Sequence, residues 1–315
     1  RPGRHAGEAV IQPEAFDAPI RVEGISSEIM AGLFQGSAQA RGYWQHPLEL
    51  TAGLAGATDA AAGTAFEKDL PDGRVILHSG APGTVRVEPH HRLSEELLQP
   101  QSLYLLLAQQ WARTGLMLVH GAAFEIDGIG ILALGDKGAG KSVLTAAAMA
   151  AGARVVSDDW VMVGVDHAGR LRAERLREFM MLRHGQACDL LMSRLKDLRP
   201  APLAKRPKTV FHFRDQPESV RRQCIPTCSV DRIWLLKRPP SGRFQPSART
   251  AAAPVQALSA LIQATMPILF SRRFAFESAQ LRKTTDAAFS ADRLFTVKTG
   301  PDLLDHPAKV IAALL

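Results

Sequence analysis

Apolar and polar positions alternate through the first part of the chain in short runs, which predicts strands rather than helices. Ile20-Arg21-Val22-Glu23 has the period of a half-buried strand. Residues 66–70 and 75–78 flank an Asp72-Gly73 turn, and 84–88 follow as another strand. One helix is expected near 27–39. The Ala/Gly-rich stretch 53–63 reads as a mobile loop, residues 1–17 as a loose arm, and Tyr43 and Trp44 as core filling. The pattern changes over 93–113. There Leu97, Leu98, Leu103, Leu106, Leu107 and Trp111 form an apolar stripe at helical spacing, ended by Gly115. An apolar strand is then expected over 116–124, an Asp127-Gly128 turn, and a second strand over 130–134, which together read as a hairpin. An Ala-rich helix over 143–151 ends at Gly152, followed by a strand over 153–157. Beyond Gly169 strands are expected near 172–183, 209–214 and 231–237. Helices are expected near 186–198, 255–270 and 302–315, with Pro307 tolerable only if it opens the last segment.

The hairpin feeds a motif. Gly135-Asp136-Lys137-Gly138-Ala139-Gly140-Lys141-Ser142 is a complete G-x-x-x-x-G-K-[ST] phosphate-binding loop, with a strand before it and a helix after it. In such a loop, backbone N–H groups and the positive end of the helix surround phosphate oxygens. Lys141 reaches the β/γ-phosphates and the Ser142 hydroxyl ligates Mg²⁺. Sixteen residues past Ser142, Asp158-Asp159 interrupts an apolar run that resumes as Trp160-Val161-Met162-Val163. In isolation an Asp-Asp pair is a solvated turn. Two charges inside a sheet-like segment, at a strand end beside a phosphate loop, read instead as a metal- and proton-handling site. His120, alone in an apolar strand, reads as a satisfied core residue, but the hairpin folds it back toward the mouth of the loop.

These three pieces, His120-Gly121, 135–142 and Ser157-Asp158-Asp159, resemble the catalytic domain of HPr kinase/phosphorylase in order and spacing over 116–165. The resemblance implies an α/β fold with a P-loop kinase core of the HPr kinase type. It would occupy 93–315 with C-terminal helices, preceded by a small β-rich lobe over 18–92 suited to substrate recognition. It also implies ATP and Mg²⁺ as cofactors, Asp158 as the proton acceptor, His120 as its partner, Lys141 on the phosphates, and Asp159 with Ser142 on the metal. Val143 stands where the family carries Glu, and the family's Gly-rich signature downstream of the aspartates is not recognisable. What carries over is therefore transfer of a γ-phosphoryl group to a serine-type hydroxyl on a small peptide, such as a ribosomal peptide precursor tail, or on a protein. The alternative is a regulatory or assembly NTPase that binds nucleotide without a kinase acceptor.

Composition trims the choices. No apolar run approaches eighteen residues, so no membrane span is expected. The start, Arg1-Pro2-Gly3-Arg4, has no apolar core of a secretory signal and reads as a trimmed N-terminus. The net charge of +7 sits mostly late in the chain, which could attract nucleic acid. With 6% aromatics, stacking platforms are scarce, and nucleotide phosphates account for the cations better. Cys224 and Cys228 find no further cysteine for a zinc site, and three cysteines suit a reducing cytoplasm. A homo-oligomer stays open. The basic stretch 205–208 reads as a linker or as a source of the cation that assists phosphoryl transfer. The sequence does not choose among Arg183, Arg206, Lys208 and Arg214 for that cation.

Overall fold

The computed structural model describes residues 7–35, 48–54, 65–70, 73–78, 82–87, 101–202, 207–237, 247–256, 260, 275–288 and 291–315. It divides into two compact units, residues 1–118 with 266–284 and residues 119–265 with 285–315. The fold is mixed α/β with several sheets.

In the first unit the alternating segments become strands β1 (Glu8–Ile11), β2 (Ile20–Glu23), β3 (Leu48–Leu54), β4 (Ala65–Leu70), β5 (Gly73–His78) and β6 (Gly83–Val87), with helices α1 (Ser27–Gln35) and α2 (Gln101–Ala112). Every neighbouring pair in the order β1-β2-β3-β6-β5-β4 is antiparallel. One face is apolar: Ile20, Val22, Leu50, Ala52, Val75, Leu77 and Val85 are all buried, and α2 packs against β3, β5 and β6. Fully burying a Val or Leu side chain contributes about 1.5–3 kcal/mol, so this face explains the unit's order.

Two expectations change here. The first seventeen residues are not wholly a loose arm, because β1 pairs with β2 from Glu8↔Glu23 to Ile11↔Ile20 and buries Ala9. The long amphipathic helix is observed as α2, and it is not striped. Leu103, Leu106, Leu107 and Trp111 are buried as expected, but Ser102, Gln109 and Gln110 are buried too. The Gln109 amide donates to the His78 carbonyl at 3.0 Å. Tyr43, Trp44, Leu97, Leu98 and most of 53–63 lie outside the described residues.

The second unit carries the remaining strands. β7 (Met117–His120), on which the chain enters this unit, stands at the edge of a four-stranded sheet β16-β12-β11-β7, formed with β11 (Trp160–Val165), β12 (Leu171–Arg175) and β16 (Thr227–Ser229). A six-stranded sheet has the order β10-β8-β9-β17-β19-β18. Its strands are β8 (Ala122–Ile126), β9 (Ile129–Leu134), β10 (Arg154–Ser157), β17 (Arg232–Lys237), β18 (Ala248–Ala251) and β19 (Leu294–Lys298). β9, β17 and β19 run parallel, so their carboxyl ends share one edge. The third sheet is small: β13 (Phe179–Arg183), β15 (Lys208–His212) and β14 (Ala201–Pro202). Helix α3 (Lys141–Ala150) follows β9, and Leu144, Ala147 and Ala148 join a core with Phe124, Val155, Trp234 and Ile311. Pro307 does open the last helix, Pro307–Leu314.

The β8–β9 hairpin turns at Asp127 (φ 52°) and Gly128 (φ 75°), the left-handed pair that a two-residue hairpin favours. The single strand expected over 116–124 is instead two strands in two sheets, broken at Gly121. The Asp-Asp segment behaves the same way: β10 lies in the six-stranded sheet and β11 in the four-stranded one. β8 neighbours β10, and β7 neighbours β11. Two adjacent segments thus cross from one sheet to the other side by side, at His120-Gly121 and at Asp158-Asp159.

Candidate functional site

The crossing is held by backbone. The Gly121 N–H donates to the Asp159 carbonyl at 2.8 Å. The Ser157 hydroxyl donates to the Trp160 carbonyl at 2.9 Å and accepts from the Asp159 N–H at 3.4 Å. β10 also shifts register against β8 between Val155 and Ser157. Strand alternation therefore stops just before the two aspartates, and their side chains enter different surroundings.

Asp158 is 5% exposed and accepts a hydrogen bond from the Met181 N–H of β13 at 3.2 Å. Burial, helped by the neighbouring Asp159 charge, pushes its carboxyl up to about 7 from an ordinary 3.8. Asp159 is also penalised by burial. The Arg177 guanidinium, a hydrogen bond and charge from His120, and the Lys208 charge outweigh that penalty and hold it at about 2. His120 Nε2 stands 3.1 Å from Asp159 Oδ1, and the Arg177 guanidinium binds Asp159 Oδ2. His120 therefore pairs with Asp159, whereas the sequence led us to expect Asp158. The register shift and the sheet crossing turn the second carboxylate, not the first, toward β7. The His120 ring also leans on Trp160, with centroids 5.6 Å apart.

The glycine-rich loop joins β9 to α3. At Gly135 (φ 156°) a Cβ would come within 2.8 Å of the Leu236 carbonyl, so a side chain there would collide with β17. Gly140 caps α3 in the left-handed conformation (φ 99°). Asp136, Lys137 and Gly138 are exposed, Ala139 is buried, and Ser142 is half-buried at the first turn of α3. Lys141, 6% exposed, donates from Nζ to the Gly135 carbonyl at 2.7 Å and to the Asp136 carbonyl at 3.3 Å. Burial pulls its ammonium down, and the charges of Asp159 and Asp136 partly offset this. Lys141 thus feels Asp159, which links the loop to the aspartate pair.

Arg177 was not singled out as a site residue from the sequence. It is 3% exposed, with its guanidinium 5.7 Å from the centre of the Phe179 ring. Its only sequence signal is a charge just ahead of the apolar strand β13. Of the candidate cations for phosphoryl transfer that are among the described residues, Lys208 is the one whose charge acts on Asp159. Arg214 stands 4.0 Å from Glu178 and is 65% exposed. Arg183 is exposed and lies opposite Lys208 in the β13–β15 register. Arg206 lies outside the described residues.

The donor chemistry fits Mg²⁺. Ser142 and Asp159 supply hard oxygens, and this ion takes one or two carboxylates and completes its shell with waters and substrate phosphates. Asp159 has about four lone-pair sites on its two oxygens, so His120 and Arg177 leave capacity for a metal. No cluster of three or more His, Cys, Asp or Glu able to hold a metal occurs among the described residues. Cys224 and Cys228 are buried free thiols, both pushed up to about 12 by burial. No helix among the described residues is long and apolar enough to cross a membrane.

Neither a protein-family model nor a curated protein matches the sequence. Among solved structures, the HPr(Ser) kinase/phosphatase from Coxiella burnetii is similar at 12% identity, over 62% of this chain and 88% of that chain, with a TM-score of 0.32. That likeness is a distant structural relationship.

Proposed function

We propose that this chain is an ATP-dependent kinase transferring the γ-phosphoryl group to a serine-type hydroxyl on a small peptide or protein. The observation that carries the reading is the split between two adjacent carboxylates beside a G-x-x-x-x-G-K-S loop. One is buried and inclined to hold a proton near neutrality; the other is kept ionised by His120, Arg177 and Lys208. Paired groups whose surroundings drive their pKa values apart mark an acid–base division of labour.

In this reading the loop N–H groups and Lys141 bind the β/γ-phosphates of ATP, and Ser142 and Asp159 hold Mg²⁺. The bound ion would neutralise charge on the phosphate oxygens. Asp158 accepts the proton of the acceptor hydroxyl. The acceptor oxygen bonds to the γ-phosphorus, and the bond from that phosphorus to the β–γ bridging oxygen breaks, leaving ADP. His120 and Arg177 orient Asp159 and keep it charged. Among the described candidates Arg183, Lys208 and Arg214, Lys208, whose charge acts on Asp159, is the cation we assign to the transferring group.

Incubating the full chain with γ-labelled ATP, Mg²⁺ and candidate serine-bearing peptides tests this directly. Label on an acceptor, lost on acid–base replacement at Asp158, supports the kinase. Label released only as free phosphate, with every acceptor unlabelled, supports the NTPase alternative instead.

A further inference from the structure

The six-stranded sheet changes direction at β9. From β9 the chain passes through the loop and α3 to β10, on one side of β9. The strand on the other side, β17, comes from much later in the chain and runs parallel to β9 from Arg232↔Ile131 to Leu235↔Leu134. Such a reversal leaves a crevice outside the carboxyl ends of the two strands, where ligands settle in open α/β sheets. A cavity of about 410 Å³ lies there, within the 300–1,000 Å³ span of small-molecule sites.

Its lining has two characters. Leu134, Leu236 and Val255 give it apolar walls, and Lys237 and Gln256 add polar groups. Val255 is 71% exposed, a large apolar side chain left open to solvent at a cavity wall. The first two residues of the loop motif, Gly135 and Asp136, also line the cavity. Whatever fills it is therefore continuous with whatever the loop holds.

We infer that this cleft receives the base and ribose of the nucleotide whose phosphates the loop binds. The inference rests on the kinase reading for the phosphates and adds the nucleoside subsite. The Leu236 and Val255 side chains give a flat base an apolar contact, the Gln256 amide can both donate to and accept from a base edge or ribose hydroxyl, and Lys237 adds a positive charge to the lining. The loop alone meets phosphate through backbone and Lys141, so it cannot distinguish a nucleotide from a bare polyphosphate. The cleft supplies that distinction.

The test compares MgATP with magnesium tripolyphosphate, the phosphate chain without a nucleoside, by titration calorimetry on the full chain. Two variants alter the cleft and not the loop: Ala260→Trp fills it, and Val255→Ser with Gln256→Ala strips its exposed wall. Both are expected to weaken MgATP by about tenfold or more, the loss of one buried apolar contact, while tripolyphosphate binds as before. MgATP affinity unchanged in both variants overturns the inference. So does a change only in the Michaelis constant for the acceptor, which would make the cleft an acceptor site. If wild-type protein binds neither ligand, the phosphate-loop reading itself fails, and that result is distinct from failure of the cleft alone.

Discussion

The sheet of the first unit and the strand crossing of the second handle charged residues in opposite ways. In the six-stranded antiparallel sheet of the first unit, alternation runs its course: Ile20 and Val22 point inward while Arg21 and Glu23 face solvent. Its ion pairs, such as Arg21 with Glu8, lie on the exposed side, where each is worth about 1 kcal/mol or less. In the second unit, two strand segments change sheets at the same point, and polar groups end up inside. Asp158 and Arg177 are 5% and 3% exposed, and Glu174 is buried as well. Buried charge costs stability unless it is paired, and here Arg177 is paired with Asp159. It is this interruption of alternation on which the proposed site rests.

The comparison predicts that substitutions in the second unit's cluster hit transfer far harder than stability, with the reverse in the first unit. The largest effect is expected from Lys141→Ala. Removing the cation aimed at the phosphates should lower label transfer about a thousandfold, with the circular dichroism spectrum unchanged. Asp158→Asn keeps the shape and deletes proton acceptance. Single-turnover transfer should fall about a hundredfold or more, while calorimetry still detects MgATP binding. Retention of full transfer in this variant, with only a raised metal requirement, would mean the two aspartates exchange roles.

Asp159→Asn is expected to act through the metal, raising the Mg²⁺ concentration needed for half-maximal transfer. Because His120 pairs with Asp159, His120→Ala should be a weaker copy of that defect, shifting the Mg²⁺ requirement about tenfold, as loss of an orienting partner does. A His120→Ala profile that instead matches Asp158→Asn would contradict the observed pairing. The smallest effect on transfer belongs to the first unit. Val75→Ala there should cost about 2–4 kcal/mol in urea unfolding, as a buried large-to-small change does, and leave transfer per folded molecule unaltered.

Much of this was legible along the chain because the signals are local. The Asp127-Gly128 turn, the loop with its flanking strand and helix, and the apolar strand ahead of the aspartates each need only a few neighbouring residues. β2, β5 and β6 follow from alternation for the same reason. What the sequence concealed depends on contacts across the fold. The pairing of His120 with Asp159 needs the register shift after Val155 and the crossing between sheets, and neither leaves a mark in the period-2 pattern. Arg177 reaches Asp159 from eighteen positions away, through a chain reversal that no local rule fixes. The parallel β9–β17 pair joins strands roughly a hundred residues apart, so the crevice at their carboxyl ends had no sequence signature. β1 was missed because four residues give too few alternations to separate a strand from an arm, and β18 and β19 lie in a stretch where no strand was expected.

The central claim is that two adjacent carboxylates are held in opposite protonation tendencies, and NMR titration of the aspartate carboxyl carbons in the metal-free, nucleotide-free chain tests it most directly. Asp158 is expected to titrate near pH 7 and Asp159 to stay ionised down to about pH 2. The linkage follows in sign. Between about pH 4 and 7 the folded chain holds a proton on Asp158 that the unfolded chain has lost, so this group's contribution to stability falls as pH rises through about 7. For Asp159 the contribution is present above about pH 4 and is lost as pH falls toward about 2. Assignment of the two signals by Asp158→Asn and Asp159→Asn completes the measurement. Two aspartates titrating together near the ordinary 3.8 would contradict the account at its root.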